Sequence, residues 1–269
     1  MFKQVTLLTG MPRSGTSWLS QIFDSCPSVR FRLSPLFSYE FKNELDEHSG
    51  HAEWNSLLER AYRSENEFMD QTSRRRRGEY PSFPEKEAEP PFLVIKDTRF
   101  HNLTEPMLAH VENLKVVAIV RHPCGVIHSW LTASREFPPS ADPLSEWRYG
   151  SCRKTGFGEY WGFEDWKTVT AMHMDLASRF PHQVMLQRYE DLTYSAEKET
   201  SRMFEFCELP FTTQTQDFLR ISQQVHIENE YAVFKRPNTA ERWRAELQPE
   251  ICDSIMAEIV NSAFSRFAA

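Results

Sequence analysis

The residues best placed to do chemistry lie in one early turn. The segment Gly10-Met-Pro-Arg-Ser-Gly-Thr-Ser17 sets two glycines in a Gly10-x-x-x-x-Gly15 frame. Among them are one guanidinium, Arg13, and three hydroxyls, Ser14, Thr16 and Ser17. Between a strand and a helix, such a turn forms an anion site. Its backbone N–H groups converge, and the helix N-terminus carries a partial positive charge. The glycine spacing is that of a phosphate-binding loop. The nucleoside-triphosphate version continues with Lys and then Ser or Thr, and that Lys reaches the β and γ phosphates. Here Thr16 stands in place of the Lys and the cation sits earlier, at Arg13, where it can lie over the end of a short anionic chain.

Two further cations stand at the ends of apolar runs. Lys96 follows Phe92 to Ile95, and Arg121 follows Val116 to Val120. Ser129 lies eight residues beyond Arg121, two turns into the next helical pattern, so the pair can face one pocket. The C-terminal ends of strands are where open α/β sheets bind ligands.

These residues need a sheet to position them. Val5 to Thr9 is a short β-rich run that ends at Gly10, and Trp18, Leu19, Ile22 and Phe23 follow with helical spacing. Phe92–Ile95, Val116–Val120 and Val184–Leu186 are continuous apolar runs, as expected of parallel strands covered on both faces. Between them, Val126, Ile127, Trp130 and Leu131 form one helical stripe. Trp166, Val169, His173, Leu176 and Phe180 form another, with Asp165 as its expected N-cap. A last helix is expected from Pro249, with Ile251, Ile255, Ile259 and Ala263 on one face. The alternation predicts a single α/β domain over 1–269, doubly wound on a mostly parallel central sheet. Two long stretches break the rhythm, about 39–91 and about 137–163. They are expected to be lids or acceptor-binding insertions. The first contains Arg74-Arg75-Arg76-Arg77, ordinarily a solvated mobile loop and alternatively a device that steers an anion.

Composition limits the function classes. The net charge of −7 argues against a general nucleic-acid binder but leaves room for a local basic pocket. The five cysteines show no C-x-x-C pair, so no metal site is expected, and the thiols read as reduced in a cytoplasmic setting. No leader is expected before the first strand, and no run approaches the ~20 apolar residues needed to cross a bilayer.

Pro12-Arg-Ser-Gly-Thr-Ser17 resembles the 5′-phosphosulfate loop of the sulfotransferases that use 3′-phosphoadenosine 5′-phosphosulfate (PAPS), and Gly10 to Pro35 resembles their tyrosylprotein and carbohydrate branches. The Arg121/Ser129 pair resembles the family's 3′-phosphate motif. Arg188-Tyr-Glu-Asp-Leu192 resembles its Tyr-Glu-Asp-Leu element, which implies that Tyr189 borders the adenine; a packed core tyrosine is the alternative. Phe234 to Trp243 is similar to a loop that brings a basic residue to the 3′-phosphate, which implies Arg236 and, less directly, Lys235; the family's glycines are absent there. Ile95-Lys-Asp97 resembles strands whose Lys touches the transferring group. The resemblance spans roughly Val5 to Leu247. It implies PAPS as co-substrate, 3′,5′-ADP as product, and a small-molecule or saccharide acceptor with a hydroxyl or amine.

In-line sulfuryl transfer asks a protein for positioning and charge stabilisation, here from Arg13 and Lys96, and for a base near the acceptor. The positions that carry the base in relatives are Ser34 and Thr98. Glu40 is the expected substitute, one or two turns past Ser34 if that segment is helical, with Asp97 and His101 as other choices. Two rival readings stay open: an ATP-dependent small-molecule kinase with an atypical loop, and a nucleotide-binding relative that has lost catalysis.

Overall fold

In the computed structural model, residues 2–225, 233 and 240–268 are described. Five strands form one sheet: β1 (Gln4–Thr9), β2 (Val29–Leu33), β3 (Phe92–Asp97), β4 (Leu114–Val120) and β5 (Val184–Arg188). The order is β2-β3-β1-β4-β5, and every pairing is parallel. The described helices are α1 (Thr16–Asp24), α2 (His51–Arg63), α3 (Thr72–Arg76), α4 (Thr104–His110), α5 (Pro123–Leu131), α6 (Pro143–Glu146), α7 (Gly162–Arg179), α8 (Tyr189–Tyr194), α9 (Ala196–Phe206), α10 (Thr213–Gln224), α11 (Trp243–Glu246) and α12 (Pro249–Ile259).

The continuous apolar runs have the expected cause. On β1, Leu7 packs against Trp54, Leu57 and Leu58 of α2 and Met107 of α4, on one face of the sheet. The neighbouring Leu8 packs against Leu19, Ile22 and Phe23 of α1 and Phe204 of α9, on the other. A strand whose two faces are both covered has no position left for a polar alternate. A third cluster, between α5, α7 and α12, joins Ile127, Trp130, Trp166, Ile251 and Ile255. It anchors the start of α5, the element that carries Ser129.

Several expectations need correction. β3 runs two residues past Ile95, so Lys96 and Asp97 belong to the strand. Asp165 is not the N-cap of α7: Trp161 holds that place, and Asp165 Oδ2 reaches back from the first turn to accept its N–H at 2.8 Å. α12 starts at Pro249 but ends at Ile259, so Ala263 lies beyond it. The 39–91 stretch contains two helices, and Arg74 to Arg76 form the end of the second, with Arg77 as its C-cap.

β2 was not foreseen, because Val29-Arg-Phe-Arg-Leu33 alternates instead of running apolar. It is one of the two edge strands, next to β3 alone. Arg32 is 4% exposed and donates to the carbonyls of Phe31, Ala61, Tyr62 and Ser64 and to the Asp70 carboxylate. One guanidinium thus ties the end of α2 and the approach to α3 onto the sheet edge. Arg32→Ala strands those acceptors in a buried site, so it is expected to lower unfolding free energy by about 3–5 kcal/mol in urea titrations. Arg76→Ala, which removes an exposed pair with Glu67, is expected to change it by less than about 1 kcal/mol.

Candidate functional site

The C-terminal ends of β1, β3, β4 and β5 converge on one cleft. At the end of β1, the loop turns on two residues with left-handed backbone, Arg13 at φ 72° and Gly15 at φ 91°. Ser14 N closes it onto Met11 O at 3.1 Å. Gly15 serves as N-cap of α1 and has a second reason to lack a side chain. A Cβ there would lie 2.4 Å from Cδ2 of Tyr189, the residue that follows β5. The loop therefore rests directly on the tyrosine ring. At the other end of the loop, a Cβ on Gly10 would lie 2.4 Å from the carbonyl oxygen of Ile119 in β4.

Arg121 stands at the end of β4, 8% exposed. Its Nη1 donates to the Arg13 carbonyl at 3.1 Å and its Nη2 to the Ala240 carbonyl at 3.2 Å, while its guanidinium carbon lies 4.7 Å from the centre of the Tyr189 ring. Among the described residues its Nε is buried without a partner. Arg13 Nε donates to Ser129 Oγ at 3.2 Å. Arg13, Arg121, Ser129 and Tyr189, chosen from three separate parts of the sequence, thus touch one another. The Ser14 hydroxyl is also buried without a partner. Behind them, Glu190 accepts the His122 N–H at 3.0 Å and the Trp166 indole donates to Arg121 O at 3.0 Å, which fixes the end of β4.

On the other side of the loop, Lys96 Nζ lies 3.4 Å from Ser17 Oγ. Burial, and then the charge of Arg74, lower its pKa to about 8. Its neighbour Asp97 points the opposite way. It accepts from Arg99 N at 2.9 Å and from Ser34 Oγ at 3.3 Å, and burial outweighs those bonds to raise its pKa to about 6. Asp97 faces a small apolar cavity with Trp54, Leu57, Phe100 and Met107.

The cleft beyond Arg13, Thr16, Ser17 and Lys96 is walled by both long insertions. Phe68, Gln71, Arg74 and Tyr80 come from the first; Arg153, Glu159, Tyr160 and Trp161 come from the second. Trp147 instead packs inward on Phe163. The four arginines diverge: Arg74 lies over the Tyr80 ring at 5.3 Å, Arg75 pairs with buried Asp24, Arg76 with Glu67 and Arg77 with Glu79. Ser34 and Thr98 line the cleft where a base was missed in the sequence. The structure does not bring Glu40 there. The turn after Ser34 is a single 3₁₀ turn, Pro35–Phe37, and Glu40 is exposed, with Oε2 bonded to Ser64 Oγ at 2.6 Å. His101 is also turned away, its Nδ1 3.1 Å from Thr9 Oγ1. Lys235 and Arg236 lie outside the described residues. Among the described residues no group of side chains suits a metal ion, and no helix is long and apolar enough to cross a membrane.

A family model for the sulfotransferase domain matches residues 3–263. The chain belongs to the sulfotransferase family. Solved structures agree at the level of fold. A mouse sulfotransferase, SULT7A1, complexed with PAP superposes with a TM-score of 0.56 at 13% identity over 99% of this chain and 88% of its own. The sulfotransferase domain of the Synechococcus PCC 7002 olefin synthase gives 0.53 at 18% identity, over 97% and 96%. Retinol dehydratase in a complex with retinol and PAP gives 0.55 at 14% identity, over 96% and 80%. No curated protein sequence matches the chain.

The contact between loop and ring in this sulfotransferase is testable without any ligand. Gly15→Ala is expected to destabilise the fold by about 1–3 kcal/mol, through backbone strain and the clash with Tyr189. Adding Tyr189→Ala should recover part of that loss. A double-mutant cycle by urea unfolding that shows strict additivity would contradict the contact.

Proposed function

We propose that this sulfotransferase takes PAPS as donor and releases 3′,5′-ADP, with a hydroxyl or amine of a small molecule or saccharide as acceptor. The observation that carries the reading is the meeting of Arg13 and Arg121 at one edge of the sheet. Among the described residues, the buried Arg121 guanidinium places its hydrogen bonds on carbonyl oxygens, with the Glu190 carboxylate near enough for the two charges to interact. One of its N–H groups is buried without an acceptor there, and a bound anion is the natural complement. The residues present fit a nucleotide with two separate anionic ends. Among the described residues, Ser14 Oγ and Arg121 Nε are buried donors without partners. The complexes of SULT7A1 and retinol dehydratase with PAP support the same choice. The kinase reading is not favoured: Thr16 stands where the triphosphate loop needs its Lys, and the family match covers nearly the whole chain.

In this reading the loop amides, Arg13, Ser14, Thr16 and Ser17 hold the phosphosulfate. Arg121 and Ser129 hold the 3′-phosphate, with Arg236 as a further contact, and Tyr189 borders the base. The donor supplies an activated S–O bond. Lys96 and Arg13 neutralise the charge that gathers on the leaving phosphate oxygen as that bond opens, and the insertions hold the acceptor in line with it. The unpaired thiols suit a reducing compartment such as the cytoplasm.

Calorimetric titration with 3′,5′-ADP and with ATP·Mg²⁺ tests the donor. Preference for 3′,5′-ADP by tenfold or more is expected, and preference for ATP would overturn the reading. The Lys96 pKa makes a second prediction. The free protein holds this ammonium half-charged near pH 8, and an anion beside it favours the charged form. PAPS binding at pH 8 should therefore take up protons, and affinity should fall as the pH rises through about 8. Titration in buffers of different ionisation enthalpy checks this, and Lys96→Met should abolish the uptake.

A further inference from the structure

We infer that Ser34 and Asp97 form the proton relay of this sulfotransferase: the Ser34 hydroxyl takes the acceptor's proton in the cleft and passes its own to the carboxylate behind it. The inference rests on the sulfotransferase reading above.

Other titratable side chains near the cleft have other commitments. Glu40 is exposed and bonded to Ser64. Glu136 is paired with Arg153. His101 is buried against Thr9, His173 and the ring of Tyr160. Glu159 Oε1 pairs with Arg99, and Oε2 accepts from Thr155 N at 2.6 Å and Thr155 Oγ1 at 3.0 Å. Although burial opposes it, these bonds leave the Glu159 pKa below the usual carboxylate value, which makes it a poor proton acceptor.

Ser34 lines the same cleft as Arg13, Ser17 and Lys96. Its backbone stands in the left-handed region, at φ 36° and ψ 67°, with its N–H on Lys96 O at 2.8 Å. A non-glycine residue adopts that conformation at a cost, and such strain gathers at functional sites. Held there, its Oγ lies 3.3 Å from Asp97 Oδ1 and 3.2 Å from Lys96 O. An ionised carboxylate is the stronger acceptor of the two, so the hydroxyl proton turns to Asp97. The lone pairs of Oγ are then left to receive a proton.

Asp97 suits the receiving end. Its neighbour Lys96 reaches Ser17, and the Arg99 side chain is committed to Glu159. Most of its remaining surroundings are the apolar walls formed by Trp54, Leu57, Phe100 and Met107. Arg99 N fixes the carboxylate by donating to Oδ1 at 2.9 Å. Burial outweighs these bonds and the charges of Lys96 and Arg99, and the pKa stands at about 6. Such a group is ionised at pH 7 and more basic than Glu159, as a general base must be. It also costs stability. The unfolded chain loses this proton more readily, so stability falls as the pH rises toward about 6 and stays lower above it.

The step balances simply. The acceptor oxygen forms a bond to sulfur, and the bond from sulfur to the phosphate oxygen breaks. That electron pair leaves with 3′,5′-ADP. The acceptor proton passes to Ser34 Oγ as the Ser34 proton passes to Asp97, and the reverse transfer to water resets the pair.

The test is sulfuryl transfer from PAPS to phenols of graded acidity, with transfer to water read in parallel. Asp97→Asn is expected to lower kcat by about 10²–10³-fold for weakly acidic phenols and for water, and by less than about tenfold for 4-nitrophenol, whose proton needs little help. Wild-type kcat/KM for a weakly acidic phenol should fall as the pH drops through about 6, and Asp97→Asn should lose that limb. Ser34→Ala should show the same dependence on phenol acidity. The double variant should be no slower than Asp97→Asn alone, because the two residues act as a unit. Both single variants should bind 3′,5′-ADP at pH 7 within about threefold of wild type. Should Asp97→Asn fail to fold, Ser34→Ala still reads the phenol dependence. A rate loss equal across all phenols would assign the pair to packing and overturn the inference. So would losses that multiply in the double variant, unchanged transfer by Ser34→Ala, or a wild-type protein that binds 3′,5′-ADP but transfers to neither phenols nor water. Failure of the wild-type protein to bind 3′,5′-ADP would instead overturn the sulfotransferase donor reading itself.

Discussion

One hydrogen bond joins the two halves of the sheet's functional edge: Arg121 Nη1 donating to the carbonyl of Arg13. Two guanidinium-bearing residues from different strands are held side by side, and Arg13 reaches on to Ser129. Helices α5, α7 and α12 clamp the end of β4, and the Tyr189 ring gives Arg121 an aromatic face to lie on.

The same constraint explains the surrounding backbone. Arg13 takes a left-handed conformation that a non-glycine residue adopts at some cost, and doing so turns its carbonyl to Arg121. Gly15 must be bare because the tyrosine that supports Arg121 lies against it. Loop, strand end and aromatic platform thus specify one another, which is why they occur together in the sequence although they lie far apart along it.

Much of this was legible from residues alone. The loop, the runs of β1, β3 and β4, and the strand-end positions of Lys96 and Arg121 follow from spacing and two-sided burial. What was not legible has physical causes. β2 alternates Arg with apolar residues because it is an edge strand whose Arg32 works as a buried tie to α2, a role that hydropathy reads as exposure. The four arginines look like a solvated tract, yet the short helix α3 sends each in its own direction. Helix α2 carried a signal that could have been found: Trp54, Leu57, Leu58 and Ala61 lie at i, i+3, i+4 and i+7. Glu40 looked near the cleft only on the assumption of a helix after Ser34, and the chain makes a single 3₁₀ turn instead.

The central claim is that Arg13 and Arg121 read opposite ends of one nucleotide. The most direct measurement is calorimetric binding of 5′-AMP and 3′-AMP to the wild-type protein and to Arg13→Ala and Arg121→Ala. The account predicts a crossed pattern. Arg13→Ala should weaken 5′-AMP by tenfold or more and 3′-AMP little, and Arg121→Ala should do the reverse. Equal losses of both ligands in both variants would contradict it.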